Sequence, residues 1–165
     1  MRVLGIDPGL AITGYAVVAE KGTDLQLVTA GVVRTPAKRP DAERLVTLYK
    51  ALNAVISEYR PEASAVEELF FSRNVRTAMS VGQARGVVLL ALANAGLSIA
   101  EYTPMQVKEA VTGYGNAEKR QVQEMVRMLL NLSTVPHPDD AADAAAVAIC
   151  YLHRARMDQL LTSSK

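Results

Sequence analysis

The sequence predicts an α/β fold in which helices cover both faces of a mixed five-stranded sheet. Three apolar, strand-like segments follow one another at the start of the chain, and later strand-like segments alternate with segments of helical periodicity. Strands joined by tight turns pair antiparallel, whereas strands joined through helices pair parallel. The chain has 165 residues, half of them hydrophobic, which is enough for one domain with its own core.

The first three predicted strands form an antiparallel meander. Residues 2–7 (RVLGID) are apolar and end at the turn signal Asp-Pro-Gly. Residues 13–20 and 25–35 follow as the second and third strands, and a turn around Lys21–Gly22 separates them.

A helix and a central strand come next. The helix runs from about Asp41 to Tyr59, because its aliphatic residues recur at helical spacing and Pro61 follows it. Residues 62–70 (EASAVEELF) are predicted to form a fourth strand, which is buried because it is central.

The second half of the chain is predicted to be mainly helical. We expect residues 1–157 to form a single domain and residues 158–165 to be a frayed tail. A helix over about residues 77–95, ended by Gly96, is followed by a strand over 97–103. The next helix begins at the Thr103 cap and Pro104, and another covers 116–132 with Asn116 as its cap. The last predicted helix runs from Pro138 or Asp139 to about Arg156.

Composition argues against secreted and membrane proteins. The N-terminus lacks the apolar run of a signal peptide, and no stretch reaches the roughly 18 apolar residues that a membrane helix needs. Cys150 is the only cysteine, so we expect a buried core thiol, no disulfide and a cytoplasmic location.

The net charge of +1 conceals an uneven distribution. Residues 71–127 carry seven Lys or Arg against four Asp or Glu, whereas acids predominate in the segments on either side. A basic surface beside an acidic centre suits a polyanionic substrate, although an ordinary mixed surface is the simpler explanation of the charges alone.

Acidic residues stand at the ends of two predicted buried strands. Asp7 ends an apolar strand, and a buried strand rarely carries a charge unless that charge is paired or holds a metal. Alternatively, Asp7 accepts hydrogen bonds within its own turn. Glu67 and Glu68 point to opposite faces, so one of them can meet Asp7, but a solvated strand end is the simpler interpretation of an isolated pair.

Asp140 and Asp143 lie three residues apart at the start of the last predicted helix. This spacing places both on one face, where the helix dipole favours anions and where alanines allow close approach to a sheet. Capping by Asp139 or Asp140, with Asp143 exposed, is the alternative.

Four carboxylates brought together would suit a divalent metal. Crowded acids repel one another without a cation, and they are good oxygen ligands for Mg²⁺ or its plausible substitute Mn²⁺. Two ions about 3.5–4 Å apart can activate water and stabilise the leaving oxygen of a phosphodiester. Only His137 and His153 are available for a histidine-rich zinc site, and His137 is most simply an exposed loop residue.

Five segments resemble, in order, the motifs of the RuvC family of bacterial Holliday junction resolvases. They are GIDPGLAITGYAVV, AVEELFFSRN, GQARGVVLLA, QVKEAVTGYGNAEKRQVQEMV and DDAADAAAVAI. The resemblance extends from Arg2 to about His153. It implies an RNase H-like fold, a homodimer, Mg²⁺-dependent nicking of two symmetric strands at a four-way DNA junction, and cooperation with the RuvA–RuvB branch-migration complex.

The resemblance also implies roles for individual residues. Some relatives have His at the position of Asp140, and Asp139 would replace it if the helix register slipped by one. Glu68 is excluded as a ligand because relatives can be uncharged there. The implied catalytic residues and metal ligands are Asp7, Glu67, Asp140 and Asp143.

Five residues are candidates for DNA binding. The family's DNA-contacting aromatic residue maps onto Phe70, and Lys108 and Lys119 match positions that touch DNA near the scissile phosphate. Arg73 and Arg76 are supported only by their charge and location. Without the resemblance, local packing of Phe70 and pairing of the lysines with neighbouring glutamates are the simpler interpretations.

The helix that contains MSVGQARGVVLLALANAG is the candidate dimer interface. Its glycines and alanines allow close helix contact, although burial against the sheet explains most of the same residues. An open four-way junction has two-fold symmetry, so a two-fold dimer can present one metal site to each of two strands.

Three other functions remain open from the sequence. The first is an RNase H-like enzyme that acts on RNA or ordinary duplexes. The second is an actin-like ATPase or sugar-kinase domain, which also opens with an acidic strand end but needs two lobes. The third is a DNA-binding module without catalysis, for which Asp7 and Glu67 would be dispensable.

Overall fold

The computed structural model describes residues 1–68 and 75–163, and it confirms the predicted α/β fold. The side chains of residues 75–77 and 163 also lie outside the description. The strands are β1 (Arg2–Asp7), β2 (Ile12–Lys21), β3 (Asp24–Arg34), β4 (Ala63–Glu67) and β5 (Ser98–Tyr102), and the helices are α1 (Asp41–Tyr59), α2 (Val75–Asn94), α3 (Pro104–Thr112), α4 (Lys119–Leu129) and α5 (Asp139–Ser163).

The five strands form one mixed sheet in the order β3-β2-β1-β4-β5. β1, β2 and β3 are antiparallel, as the short connections predict, and β4 and β5 run parallel to β1. The carboxyl ends of β1, β4 and β5 therefore meet at one edge of the sheet, where Asp7 pairs with Gly14 and Glu67 pairs with Tyr102.

Helices cover both faces of the sheet over two separate cores. One core packs α1 and α2 against the sheet, with Leu48, Leu52 and Leu92 among its fully buried residues. The other packs α3, α4 and α5 against the opposite face, and it includes the run of small residues 144–148 on α5. Burying both faces of the sheet explains why β1 and β4 are almost continuously apolar.

Two strand glycines allow α5 to lie directly on the sheet. A Cβ atom added at Gly5 would stand 2.6 Å from the backbone nitrogen of Ala148, and one added at Gly14 would stand 2.6 Å from the carbonyl carbon of Asp140. Any side chain at these positions would push the helix outwards. The close contact fixes the first turn of α5 beside the end of β1.

Several predicted boundaries were wrong. α2 begins at Val75 rather than at Thr77, and α4 is capped by Glu118 rather than by Asn116, since the Glu118 backbone N–H donates to Oε1 of Gln121 at 2.8 Å. α5 continues past Arg156, so the described part of the predicted tail is helical. Residues 157–161 (MDQLL) contain neither Gly nor Pro, and most of them are good helix formers.

Other local predictions were correct. Thr103 caps α3 and accepts a hydrogen bond from the Gln106 backbone N–H at 3.2 Å, and Pro104 is the first helical residue. Cys150 is a free, buried thiol in the core under α5. None of the helices within residues 1–68 and 75–163 has the length and hydropathy needed to span a bilayer.

Candidate active site

Asp7 ends β1 at the edge of the sheet where the parallel strands finish. The turn that follows is held by the buried hydroxyl of Thr13, which accepts from the Gly9 backbone N–H at 3.3 Å and donates to the Gly9 carbonyl at 2.5 Å. This turn returns the chain into β2, so that Gly14 comes to lie beside Asp7. Asp7 is itself largely removed from solvent.

Glu67 ends β4, the strand next to β1. The pairing of Ile6 with Val66 places Glu67 at the level of Asp7, close enough for its charge to raise the pKa of Asp7. Glu67 is therefore the member of the Glu67–Glu68 pair that meets Asp7, as the alternation of side chains along a strand allows.

The first turn of α5 brings further carboxylates to the same place. The backbone of Asp140 rests on Gly14, next to Asp7. Asp143 is half-buried, and its Oδ2 atom lies 3.1 Å from Nζ of Lys119. Since Lys119 also lies 3.3 Å from Oδ2 of Asp139, it pairs with α5 rather than with a glutamate of its own helix.

Burial and mutual repulsion make these acids harder to ionise. Burial, and after it the charges of Glu67, Asp143 and Asp140, raise the pKa of Asp7 to about 8, and Lys119 opposes the change. Burial also raises the pKa of Glu67 to about 7, helped by the charge of Asp143 and opposed by Lys108. These shifts mean that the cluster holds more negative charge than its own lysines neutralise.

Asp143 and Lys119 also have raised pKa values. Burial raises the pKa of Asp143, although its hydrogen bond with Lys119 counteracts the effect. Burial lowers the pKa of Lys119, but the hydrogen bonds and charges of Asp143 and Asp139 outweigh it, so that pKa is raised overall. Lys119 thus supplies a fixed positive charge beside the acids.

A cavity of about 230 Å³ lies beside the acidic cluster, between β4, α3, α4 and α5. Glu67, Asp143, Lys108 and Lys119 are its charged lining residues. Apolar residues of the three helices form the rest of the lining. A charged group of moderate size would therefore meet both carboxylates and cations in this cavity.

The donor set fits a divalent cation, although the side chains are not already arranged around one. Among residues 1–68 and 75–163, no three acidic, histidine or cysteine side chains are arranged to hold a metal ion. Instead, Asp143 forms an ion pair with Lys119. Carboxylate oxygens with raised pKa values are nevertheless the hard ligands that Mg²⁺ prefers, and a dication would neutralise the excess charge.

Comparison with known proteins places the chain in a family. The family described as Crossover junction endodeoxyribonuclease RuvC matches residues 3–151. The chain belongs to the RuvC family.

RuvC proteins of two bacteria resemble the chain along nearly all of its length. That of Heliobacterium modesticaldum is 60% identical over 153 residues, which are 93% of this chain and 94% of the relative. That of Chloroflexus aggregans is 59% identical over 155 residues, which are 94% of each chain. The structure of Thermus thermophilus RuvC in complex with Holliday junction substrate has a TM-score of 0.91 and 43% identity, and the match covers 96% of both chains.

The residues predicted to bind DNA are only partly described by the structure of this RuvC family member. Lys108 and Lys119 both line the cavity beside the acids. Phe70 and Arg73 lie outside the described residues. Arg76 belongs to α2, but its side chain is also outside the description. The structure therefore brings together the lysines and the acids, and it says nothing of the other three contacts.

Neither histidine joins the acidic cluster of this RuvC family member. His137 is exposed in the loop before α5, as the simplest interpretation of the sequence predicts. Nδ1 of His153 lies 2.9 Å from the carbonyl oxygen of Ala110, at the far end of α3.

Sequence reasoning missed two contributors to the candidate site. Gly14 was not recognised as the residue against which the N-terminus of α5 packs, although a glycine inside a strand is itself a sign of close backbone approach. The ion pair between Lys119 and Asp139 was also missed. It joins residues of different helices, so no local pattern indicates it.

Proposed function

We propose that this chain is a Mg²⁺-dependent crossover junction endodeoxyribonuclease that nicks two symmetric strands of a four-way DNA junction. The observation that carries the proposal is the buried acidic cluster of Asp7, Glu67 and Asp143, whose pKa values are all raised in the absence of metal. Membership of a family named for junction cleavage supports the choice of substrate.

In this mechanism, Asp7, Glu67, Asp140 and Asp143 would hold two Mg²⁺ ions, or Mn²⁺ in their place. Such a metal pair would supply activation of water and stabilisation of the leaving oxygen. The chain itself presents the carboxylates from two adjacent strand ends and one helix start, so their relative positions are set by the sheet and by the seat of α5 on Gly14. The acids are partly buried, which limits competition by bulk water.

The two lysines complete the proposed mechanism. Lys119 holds Asp143 at 3.1 Å and so orients one ligand. Lys108 lines the same cavity as Glu67 and Asp143. Both cations attract a phosphodiester that the acids alone would repel, and such phosphate contacts fix the position of the strand without reading its sequence.

A homodimer built on α2 is part of the proposal. Met79 and Leu90 on this helix are 63% and 53% exposed. Between them, a Cβ atom added at Gly82 or Gly86 would meet nothing within 4 Å, so this face is open. A second copy of α2 would cover it, and the two-fold symmetry of the dimer would match that of the junction. Cooperation with RuvA–RuvB and a cytoplasmic location follow from the resemblance and the single cysteine, and both stay predictions.

Junction cleavage by single-charge variants tests the function. A labelled synthetic four-way junction, a linear duplex and an RNA–DNA hybrid are incubated with protein and Mg²⁺. We expect symmetric nicks in the junction alone. Asp7→Asn and Glu67→Gln should each abolish cleavage while junction binding in Ca²⁺ persists. Asp24→Asn, an exposed acid at the start of β3, is the matched control and should cleave normally.

Each alternative function has its own outcome in this assay. Unchanged cleavage by Asp7→Asn would refute catalysis by the acids, and an absence of any cleavage would favour a DNA-binding module. Cleavage of the RNA–DNA hybrid alone would indicate an RNase H-type substrate. Tight, saturable ATP binding would revive the actin-like alternative.

A further inference from the structure

The loop between α3 and α4 presents an aromatic side chain to solvent. Tyr114 is 61% exposed, although large aromatic residues usually bury most of their surface. Its backbone is held in place, because Oγ1 of Thr112 accepts from the Tyr114 N–H at 3.1 Å and can donate to the Lys108 carbonyl at 2.8 Å. Gly113 ends α3 in the left-handed region with a φ of 78°, which turns the chain sharply. The ring is thus displayed from a well-fixed backbone.

Tyr114 lines a groove of about 450 Å³ between this loop and the start of α4. Arg120 and Met125 lie along the same groove, so it offers a cation beside an apolar floor. Two acids also line it. Glu124 is neutralised by Arg127, whose Nε lies 2.9 Å from its Oε1 atom, and Glu118 is the N-cap residue of α4. An aromatic ring, an apolar floor and an arginine suit a nucleotide, which has both an aromatic base and a phosphate.

The same two helices, α3 and α4, border both the groove and the acidic cavity. Lys119, the neighbour of Arg120 in sequence, lies 3.1 Å from Asp143. On α3, Lys108 lines the acidic cavity, and its carbonyl accepts the hydrogen bond from Thr112 that helps to hold the loop. The groove is therefore built on the same two helices that carry the lysines of the acidic cavity.

We propose that this groove binds a nucleotide of the DNA strand next to the cleaved phosphodiester, with its base stacked on Tyr114 and its phosphate beside Arg120. The inference rests on the proposed function and adds a substrate contact to it. Stacking tolerates any base, because every base has an aromatic face, so Tyr114 would hold the strand in place without selecting its sequence. Unpaired bases near a branch point expose such faces.

The test compares Tyr114→Ala, Tyr114→Phe and Arg120→Gln by junction binding in Ca²⁺. Loss of one stack should weaken binding by about tenfold or more in Tyr114→Ala, while Tyr114→Phe keeps the ring and binds normally. Arg120→Gln should reduce the slope of log K against log salt by about 0.9, as for one lost phosphate contact. Met128→Ala is the matched control, since Met128 is 59% exposed at the other end of α4.

A fluorescent base locates the contact directly. 2-Aminopurine is placed at successive positions on either side of the cleavage site, and we expect quenching by the wild-type protein at one position that Tyr114→Ala abolishes. Normal binding and unchanged quenching by Tyr114→Ala would overturn the inference, as would a Tyr114→Phe protein as weak as Tyr114→Ala. Junction cleavage by the wild type and its loss in Asp7→Asn test the function separately, so the two proposals can fail independently.

Discussion

Replacement of Asp7 by Asn should stabilise the metal-free protein, and the gain should grow with pH. The pKa of Asp7 is about 8 in the folded protein, against its ordinary value of 3.8. Because the folded-state pKa is the higher one, the folded protein binds the proton more tightly than the unfolded chain between these values. The free energy of unfolding therefore falls as pH rises from about 4 to about 8. An amide at this position cannot ionise, so Asp7→Asn removes this fall in the free energy of unfolding.

The size of the effect follows from the shift. The pKa shift from 3.8 to about 8 corresponds to about 6 kcal/mol in the free energy of unfolding. Asp7→Asn would gain this full amount only if one substitution removed the whole effect. Glu67 and Asp143 share the repulsion and remain in the variant, so we expect a gain of about 2 kcal/mol at pH 8.5. For a domain of this size, that gain raises the unfolding temperature by about 4–8 °C. At pH 4.5, where Asp7 is protonated in the folded wild type, the change should be small.

Thermal unfolding followed by circular dichroism in EDTA at the two pH values measures this difference. Asp24→Asn, which removes an exposed carboxylate, controls for the loss of one negative charge. Adding Mg²⁺ at pH 8.5 should stabilise the wild type more than Asp7→Asn, since a ligand stabilises the state that binds it. A gain that is equal at both pH values, or a loss of stability at pH 8.5, would refute the explanation by buried repulsion.

Three further predictions concern other parts of the molecule. Gly14→Ala should lower the free energy of unfolding by about 1–3 kcal/mol and reduce cleavage, because its Cβ would lie 2.6 Å from the Asp140 carbonyl carbon. Chemical denaturation measures this change, and wild-type stability would contradict the close contact. Lys119→Gln should slow junction cleavage and reduce the slope of log K against log salt by about 0.9. Titration in Ca²⁺ at several salt concentrations measures the slope, and an unchanged value would mean that Lys119 acts only on Asp143. Leu90→Glu should shift the protein towards monomer in analytical ultracentrifugation without changing how each chain folds, because Leu90 is 53% exposed on α2; a dimer of wild-type stability would place the interface elsewhere.

The elements of the fold could be predicted because each has a local cause. Apolar strands, helical periodicity and the Thr103–Pro104 start signal depend on neighbouring residues, and all correspond to elements in the structure. The start of α4 was less predictable, because Asn116 and Glu118 are both possible caps, and only the hydrogen bond to Gln121 distinguishes them. The end of α5 was missed since residues 157–161 favour a helix without strong periodicity.

The candidate site was predictable in its residues but not in its geometry. A lone acid at the end of an apolar strand, and two acids three residues apart at a helix start, are visible in the sequence. What brings them together is the contact of Gly14 with Asp140, which joins residues far apart in the chain. The pairing of Lys119 with Asp139 and Asp143 is equally non-local. Such contacts depend on tertiary packing, which short-range patterns do not encode.

The direct packing of α5 against the strand backbone at Gly5 and Gly14 has a consequence for protein engineering. Main chain rests on main chain at Gly5 and Gly14, so the N-terminal half of the helix is located by peptide units rather than by interlocking side chains. Repacking of the interior elsewhere should leave its acids where they are, because no bulky group transmits the change. The exposed C-terminal turns, which carry Met157, Leu160 and Leu161, extend away from that seat along the same helix. Thermostabilising changes are therefore best directed to those turns, and glycine at the two contact points should be kept.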